Sequence, residues 1–157
     1  MKSVLKWLDR LMSLDEVLGS LALFALFLIA LANVIMRYFF DAPIAWAEEI
    51  LQLLLVWASF LGASALVRRN DHVLIELFGE RLPPALNRWR ERLFNTGLVL
   101  ASAVIMVIWG LELLPFSAYR STPMLQISYY WIYLAVPLSA AMMIYHSLRR
   151  LMTVREV

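Results

Sequence analysis

Three carboxylates occur where carboxylates can do chemistry. Glu48 and Glu49 are adjacent at the head of one apolar stretch, and Glu112 lies near the end of another. Lipid cannot solvate such groups, so together they could hold a cation or relay a proton. Asn33 and Arg37 are four residues apart and share one helix face, within reach of hydrogen-bonding or ion-pairing roles. The two histidines, His72 and His146, are of the type that binds haem iron from facing helices. Cysteine is absent, which removes disulfides, thiol redox chemistry, iron–sulfur clusters and thiolate-bound zinc. No nucleophile, metal-cluster or cofactor motif is present, so the expectation is a protein without cofactor or metal that is not an enzyme.

The elements that must position these groups follow from composition. Of 157 residues, 62% are hydrophobic and 17% charged. Soluble domains carry about 45–50% apolar and about 25% charged residues. A single water-soluble core of this size cannot bury that surplus, so it faces lipid. About 20 apolar residues cross the hydrocarbon layer as a helix. Four stretches qualify, near 17–36, 44–67, 93–114 and 129–148. The expected fold is therefore an all-α integral membrane protein of one domain with four transmembrane helices.

Orientation follows from the basic residues. Twelve of the fourteen Lys and Arg fall in the N-terminal segment, the middle loop (68–92) and the tail; Arg37 and Arg120 alone fall in the other two connections. The positive-inside rule then puts both termini and the middle loop in the cytoplasm. Ala30-Leu31-Ala32 resembles a signal-peptidase site. The apolar run there is of full span length, however, and about 16 residues, including Asp9, Asp15 and Glu16, precede it. A signal peptide has a shorter core and a shorter basic lead, so this segment reads as a span.

Residues 1–15 read as an amphipathic helix lying in the interface, with Lys2, Lys6 and Arg10 on one side and Leu5, Trp7 and Leu8 on the other. In the middle loop, Val73, Leu74, Leu77 and Phe78 make an interfacial helical stripe that Pro83-Pro84 stops. Arg68, Arg69, Arg88, Arg90 and Arg92 suit anionic lipid head groups, and nucleic acid is not an expected partner. Tyr38, Trp46, Trp109, Tyr119, Tyr129, Tyr130 and Trp131 form an aromatic belt at the opposite boundary.

Within the spans, Glu48, Gln52, Ser59 and Ala63 line one side of the second helix, with Trp46 and Trp57 roughly opposite. A polar and small seam of this kind faces protein rather than lipid. Small residues four apart, Ala58 and Gly62, Gly97 and Ala101, Ala135 and Ser139, are candidate helix-packing contacts. Pro137 predicts a kink in the fourth span. No carboxylate lies at mid-membrane, where a coupling site is usually built. Glu48 and Glu49 therefore read as first-turn carboxylates that meet the positive helix end and pair with Arg37. His72 and His146 both lie near the cytoplasmic boundary, a poor geometry for haem.

The pieces Asn33-Val34, Arg37-Tyr38-Phe39-Phe40, Trp46-Ala47-Glu48-Glu49, Val56-Trp57, Phe60-Leu61-Gly62-Ala63 and Arg68-Arg69 with His72 come in a telling order. With Leu82-Pro83-Pro84 and Ser121-Thr122-Pro123, the chain resembles the small membrane subunit of tripartite ATP-independent periplasmic (TRAP) transporters, the DctQ-like family. Two positions depart from the pattern: Asn70 and Gln126 stand where the family has glycine. The resemblance implies a scaffold that supports a large many-span permease subunit. A periplasmic binding protein would deliver an organic acid, and a sodium gradient would drive uptake. Substrate and sodium sites would then lie in the large subunit, not here. The rival readings are an autonomous four-span exporter of the small multidrug type and a haem-binding membrane enzyme subunit. The first span lacks the acidic residue that such an exporter requires.

Overall fold

The computed structural model describes residues 14–69 and 96–153. Residues 1–13 of the expected amphipathic helix (1–15) and the middle loop with Asn70, His72, Pro83, Pro84, Arg88, Arg90 and Arg92 lie outside the described residues.

Helix α1 (Leu14–Phe39) is 26 residues long, a rise of about 39 Å at 1.5 Å per residue. Asp15 and Glu16 lie in its first turn and Arg37 in its last, each sign at the helix end that favours it. Asp41 stops it by taking left-handed backbone at φ 48°. The Phe40 and Ala42 N–H groups both donate to the Met36 carbonyl at 3.2 Å, satisfying an acceptor the helix itself leaves open. Helix α2 (Ala47–Arg69) follows with Glu48 and Glu49 in its first turn.

Helix α3 (Thr96–Ala118) runs past the predicted end at residue 114 and carries Pro115 inside its last turns. Ser117 Oγ donates back to the Leu114 carbonyl at 2.8 Å in that stretch. A short α4 (Tyr129–Tyr133) and α5 (Ala135–Thr153) together make the fourth span. The break between them falls at Leu134, three residues before Pro137, the residue at which the sequence predicts a kink. Pro137 has no N–H to give the Tyr133 carbonyl, and its ring crowds that group. All four segments are long and apolar enough to cross a membrane.

The helices pack in the order α1, α2, α5, α3, and α4 sits against α3, α2 and α5. The start of α1 and the late turns of α5 lie at the same end of the bundle, where Asp15 meets His146. A small core of Val67, Ala103 and Met143 joins α2, α3 and α5. Helix α1 is peripheral: only Asp15 and Gly19 are buried on it, and Phe24 and Phe27 are 61% and 60% exposed. Those apolar side chains suit lipid contact.

Candidate functional site

Two polar clusters occupy opposite ends of the bundle. The first lies where α1 starts. Asp15 is fully buried, because its helix begins against the last turns of α2 and α5. Its Oδ2 accepts from Ser64 Oγ at 2.9 Å and lies 3.3 Å from His146 Nε2. Its Oδ1 accepts from the Glu16 N–H at 2.7 Å. One carboxylate thus ties together three helices whose contributing residues are up to 131 positions apart. Beside it, Arg68 forms an ion pair with Glu16 at the half-exposed rim. Arg68 was expected to face lipid; its guanidinium instead bridges α2 to α1. His146 is engaged with Asp15, the position that its geometry allows at the end of α5.

The second cluster closes the opposite end. Asn33 Oδ1 accepts from the Ile44 N–H at 2.9 Å and draws the α1–α2 connection back over α1. Glu49 reaches across to the loop between α3 and α4. Its Oε1 accepts from the Met124 N–H at 2.6 Å and its Oε2 from the Leu125 N–H at 2.8 Å. That loop is a tight reversal. Ser121 and Ser128 bridge antiparallel, and Thr122 accepts through its side chain from the Ile127 N–H at 3.1 Å. Gln126 sits in left-handed backbone at φ 52°, a conformation glycine adopts more freely. The departure from glycine at this position leaves the left-handed turn in place.

The expected pairing of Arg37 with Glu48 or Glu49 does not form among the described residues. Glu49 spends both oxygens on backbone N–H groups, and Arg37 is exposed on the last turn of α1. Arg120 lies over the Tyr129 ring, 5.7 Å from its centroid, rather than beside a carboxylate. Glu48, Gln52 and Glu112 are exposed and are not drawn together. Trp57 Nε1–H donates at 3.1 Å to the Trp131 carbonyl, in the turn just before the Pro137-induced break. That carbonyl lies where the interrupted helix leaves acceptors open.

Small residues pack where the spacing of four only partly indicated. Ala135 and Ser139 are fully buried, and Ala58 and Gly62 are half-buried. Gly97 and Ala101 are exposed, and a Cβ built on Gly97 meets nothing within 4 Å. The buried positions of α3 are Thr96, Ala103, Gly110, Leu114 and Ser117; all but Leu114 are small residues at an interval of seven. That interval was the available signal, since one seam of a packed helix recurs every two turns. A Cβ on Gly110 would lie 3.0 Å from Pro137 Cδ, and one on Gly19 would lie 3.3 Å from the Gly62 nitrogen and from Leu61 Cβ. Side-chain placement at Arg69 is not described.

The Glu49 clamp makes a checkable prediction. Alanine at Glu49 removes both acceptors, so the Met124 and Leu125 amides should exchange with solvent several-fold faster. Hydrogen–deuterium exchange of the 121–128 peptide reads this directly. Unchanged exchange would mean that the loop holds its own shape.

Neither cluster has the form of a catalytic centre, and no group of three metal-binding side chains occurs among the described residues. Both clusters tie helices and loops to one another. Residues 26–156 match the family model described as "Tripartite ATP-independent periplasmic transporters, DctQ component". The sialic acid TRAP transporter permease protein SiaT of Haemophilus influenzae is 28% identical over 90% of this chain, which spans 22% of that protein. The sialic acid TRAP transporter small permease protein SiaQ of Vibrio cholerae is 23% identical over 98% of this chain and 88% of its own length. The C4-dicarboxylate TRAP transporter small permease protein DctQ of Vibrio cholerae is 32% identical over 61% of this chain and 41% of its own length.

Proposed function

The chain belongs to the family of DctQ components of tripartite ATP-independent periplasmic transporters, and from that premise we propose that it is the small scaffold subunit of a sodium-driven importer of organic acids. The family is a transporter component, not an enzyme. The match over residues 26–156 carries the reading, because it takes in the second half of the first span and the other three in full. In this reading a large permease subunit binds solute and sodium, a periplasmic protein delivers the solute, and this chain holds the large subunit in register. The relatives named for sialic acid and C4-dicarboxylates support an organic acid as the solute class.

The placement of charge supports the division of labour. No Asp, Glu, Lys or Arg occurs between residues 17 and 36, 50 and 67, or 96 and 111. Of the carboxylates that the ends carry, Asp15, Glu16 and Glu49 are occupied in ties within the chain, while Asp41, Glu48 and Glu112 are exposed. Such ties suit a rigid support better than an ion that must bind and leave. The protein is a multi-pass component of the inner membrane, and the basic residues favour both termini in the cytoplasm. The Asp15 cluster would then face the cytoplasm and the Glu49 clamp the periplasm.

Reconstitution tests this. Liposomes holding this chain alone should take up neither labelled sialic acid nor succinate under an inward sodium gradient. The chain should also co-purify with a larger permease from its native membrane. Repeated isolation of the chain by itself, or uptake by it alone, would overturn the reading.

A further inference from the structure

Helix α2 presents an unusual outer stripe. Glu48, Gln52, Leu55, Ser59 and Gly62 follow at spacings of four and three, so all five fall within about 80° of arc. Glu48, Gln52, Leu55 and Ser59 are exposed. None of the three polar members takes a side-chain hydrogen bond among the described residues. In lipid an unpaired amide or hydroxyl is costly, and acyl chains cannot relieve it.

The stripe borders a groove of about 230 Å³ between α1 and α2, whose floor includes Gly19, Ala58 and Gly62. Gly19 lets α1 approach the α2 backbone closely, yet a Cβ on Gly62 itself meets nothing within 4 Å. The floor is therefore open outward as well as small, the condition under which another helix backbone can come close in a membrane. The exposed face of α3 makes a contrast. Ser102 there satisfies its hydroxyl on the Val99 carbonyl at 2.9 Å, and its neighbours Ala101 and Ile105 are apolar. That face asks nothing of a partner.

We propose that the α1–α2 groove, lined by Ser59 and continued by Gln52 one turn of α2 beyond Leu55, seats a transmembrane helix of the large permease subunit that carries hydrogen-bonding side chains toward those two residues. The proposal rests on the reading of the chain as a small transporter subunit. The occupant is the permease rather than a second copy because, in the SiaT relative, the matched region is 22% of one longer permease protein. The chain that covalent linkage brings to such a region is the remainder of that permease.

The test uses the full chain co-expressed with the large subunit in its native membrane. The photo-crosslinker p-benzoylphenylalanine placed at Leu55 should yield an adduct of this chain with the large subunit; placed at Ile105 on α3 it should not. In parallel, Gly62→Leu should lower recovery of the chain on a tagged large subunit by roughly tenfold. Gly97→Leu, equally open in the chain itself, should leave recovery unchanged. An adduct of two copies of this chain at Leu55, or lipid adducts alone, overturns the proposal while leaving the small-subunit reading intact. Failure of the unaltered chain to co-purify with the large subunit overturns both.

Discussion

Replacing Asp15 with alanine should destabilise the folded chain by about 1–3 kcal/mol for each buried polar partner it leaves unpaired. Asp15 is fully buried and accepts from Ser64 Oγ and from the Glu16 N–H, with His146 Nε2 3.3 Å away. Alanine strands the Ser64 hydroxyl and the His146 imidazole together, both buried. Each then loses a partner that water cannot replace at that depth. Asp15→Asn keeps a single carbonyl oxygen where the carboxylate had two, so it should fall between alanine and the native chain. Unfolding in mixed detergent micelles, followed by fluorescence of the tryptophans, measures the difference. The double variant Asp15→Ala with His146→Ala should lose about 0.5–3 kcal/mol less than the two single losses added together. Simple additivity would show that the two groups are neighbours without being coupled.

The same cluster marks where sequence reading reaches its end. Four spans were legible because each is a run of about 20 apolar residues, a pattern that depends only on local composition. Asp15 was legible too, but only as a polar residue ahead of a span. Nothing in its spacing ties it to Ser64 or to His146, which follow it by 49 and 131 positions. Such ties depend on how each helix is rotated about its own axis. A helix that is apolar all round, as α3 is, leaves that rotation unmarked. Hence Gly97 and Ala101 read as a packing pair although they are exposed, and the buried face runs instead through Thr96, Ala103, Gly110, Leu114 and Ser117.

Glu49 illustrates the complementary difficulty. Its place in the first turn of α2 was evident, and the helix end explains why a carboxylate is favourable there. Its partners were not, because they are backbone N–H groups of a loop 75 and 76 positions away. Backbone donors carry no residue identity, so no side chain at Met124 or Leu125 announces the bond. Arg37, the charged residue that does announce itself, was the natural expectation and is not the partner. Pro137 stands at the other extreme. Its missing N–H acts on its own helix, so an interruption near Pro137 was legible from the residue alone, although the helix breaks one turn earlier, at Leu134.

The close approach at Gly110 carries the second large expected effect. Gly110→Leu should destabilise the chain by about 1–3 kcal/mol through overpacking, despite leucine being the better helix former by somewhat under 1 kcal/mol. The two terms oppose each other, and geometry decides between them. A Cβ at Gly110 would lie 3.0 Å from Pro137 Cδ, 3.3 Å from its nitrogen and 3.4 Å from its Cβ. The proline ring is closed on its own backbone and cannot swing aside as a free side chain would. Relief therefore requires α3 and α5 to separate at the position where α5 departs from α4. Gly97→Leu is the matched comparison. It has the same propensity gain on the same helix, and its Cβ meets nothing within 4 Å, so its stability should hold or rise. Comparing the two variants in the same detergent titration isolates the packing term. Equal stabilities would mean that the Pro137 break can open without cost, and that α3 is held to α5 by the Val67, Ala103 and Met143 core alone.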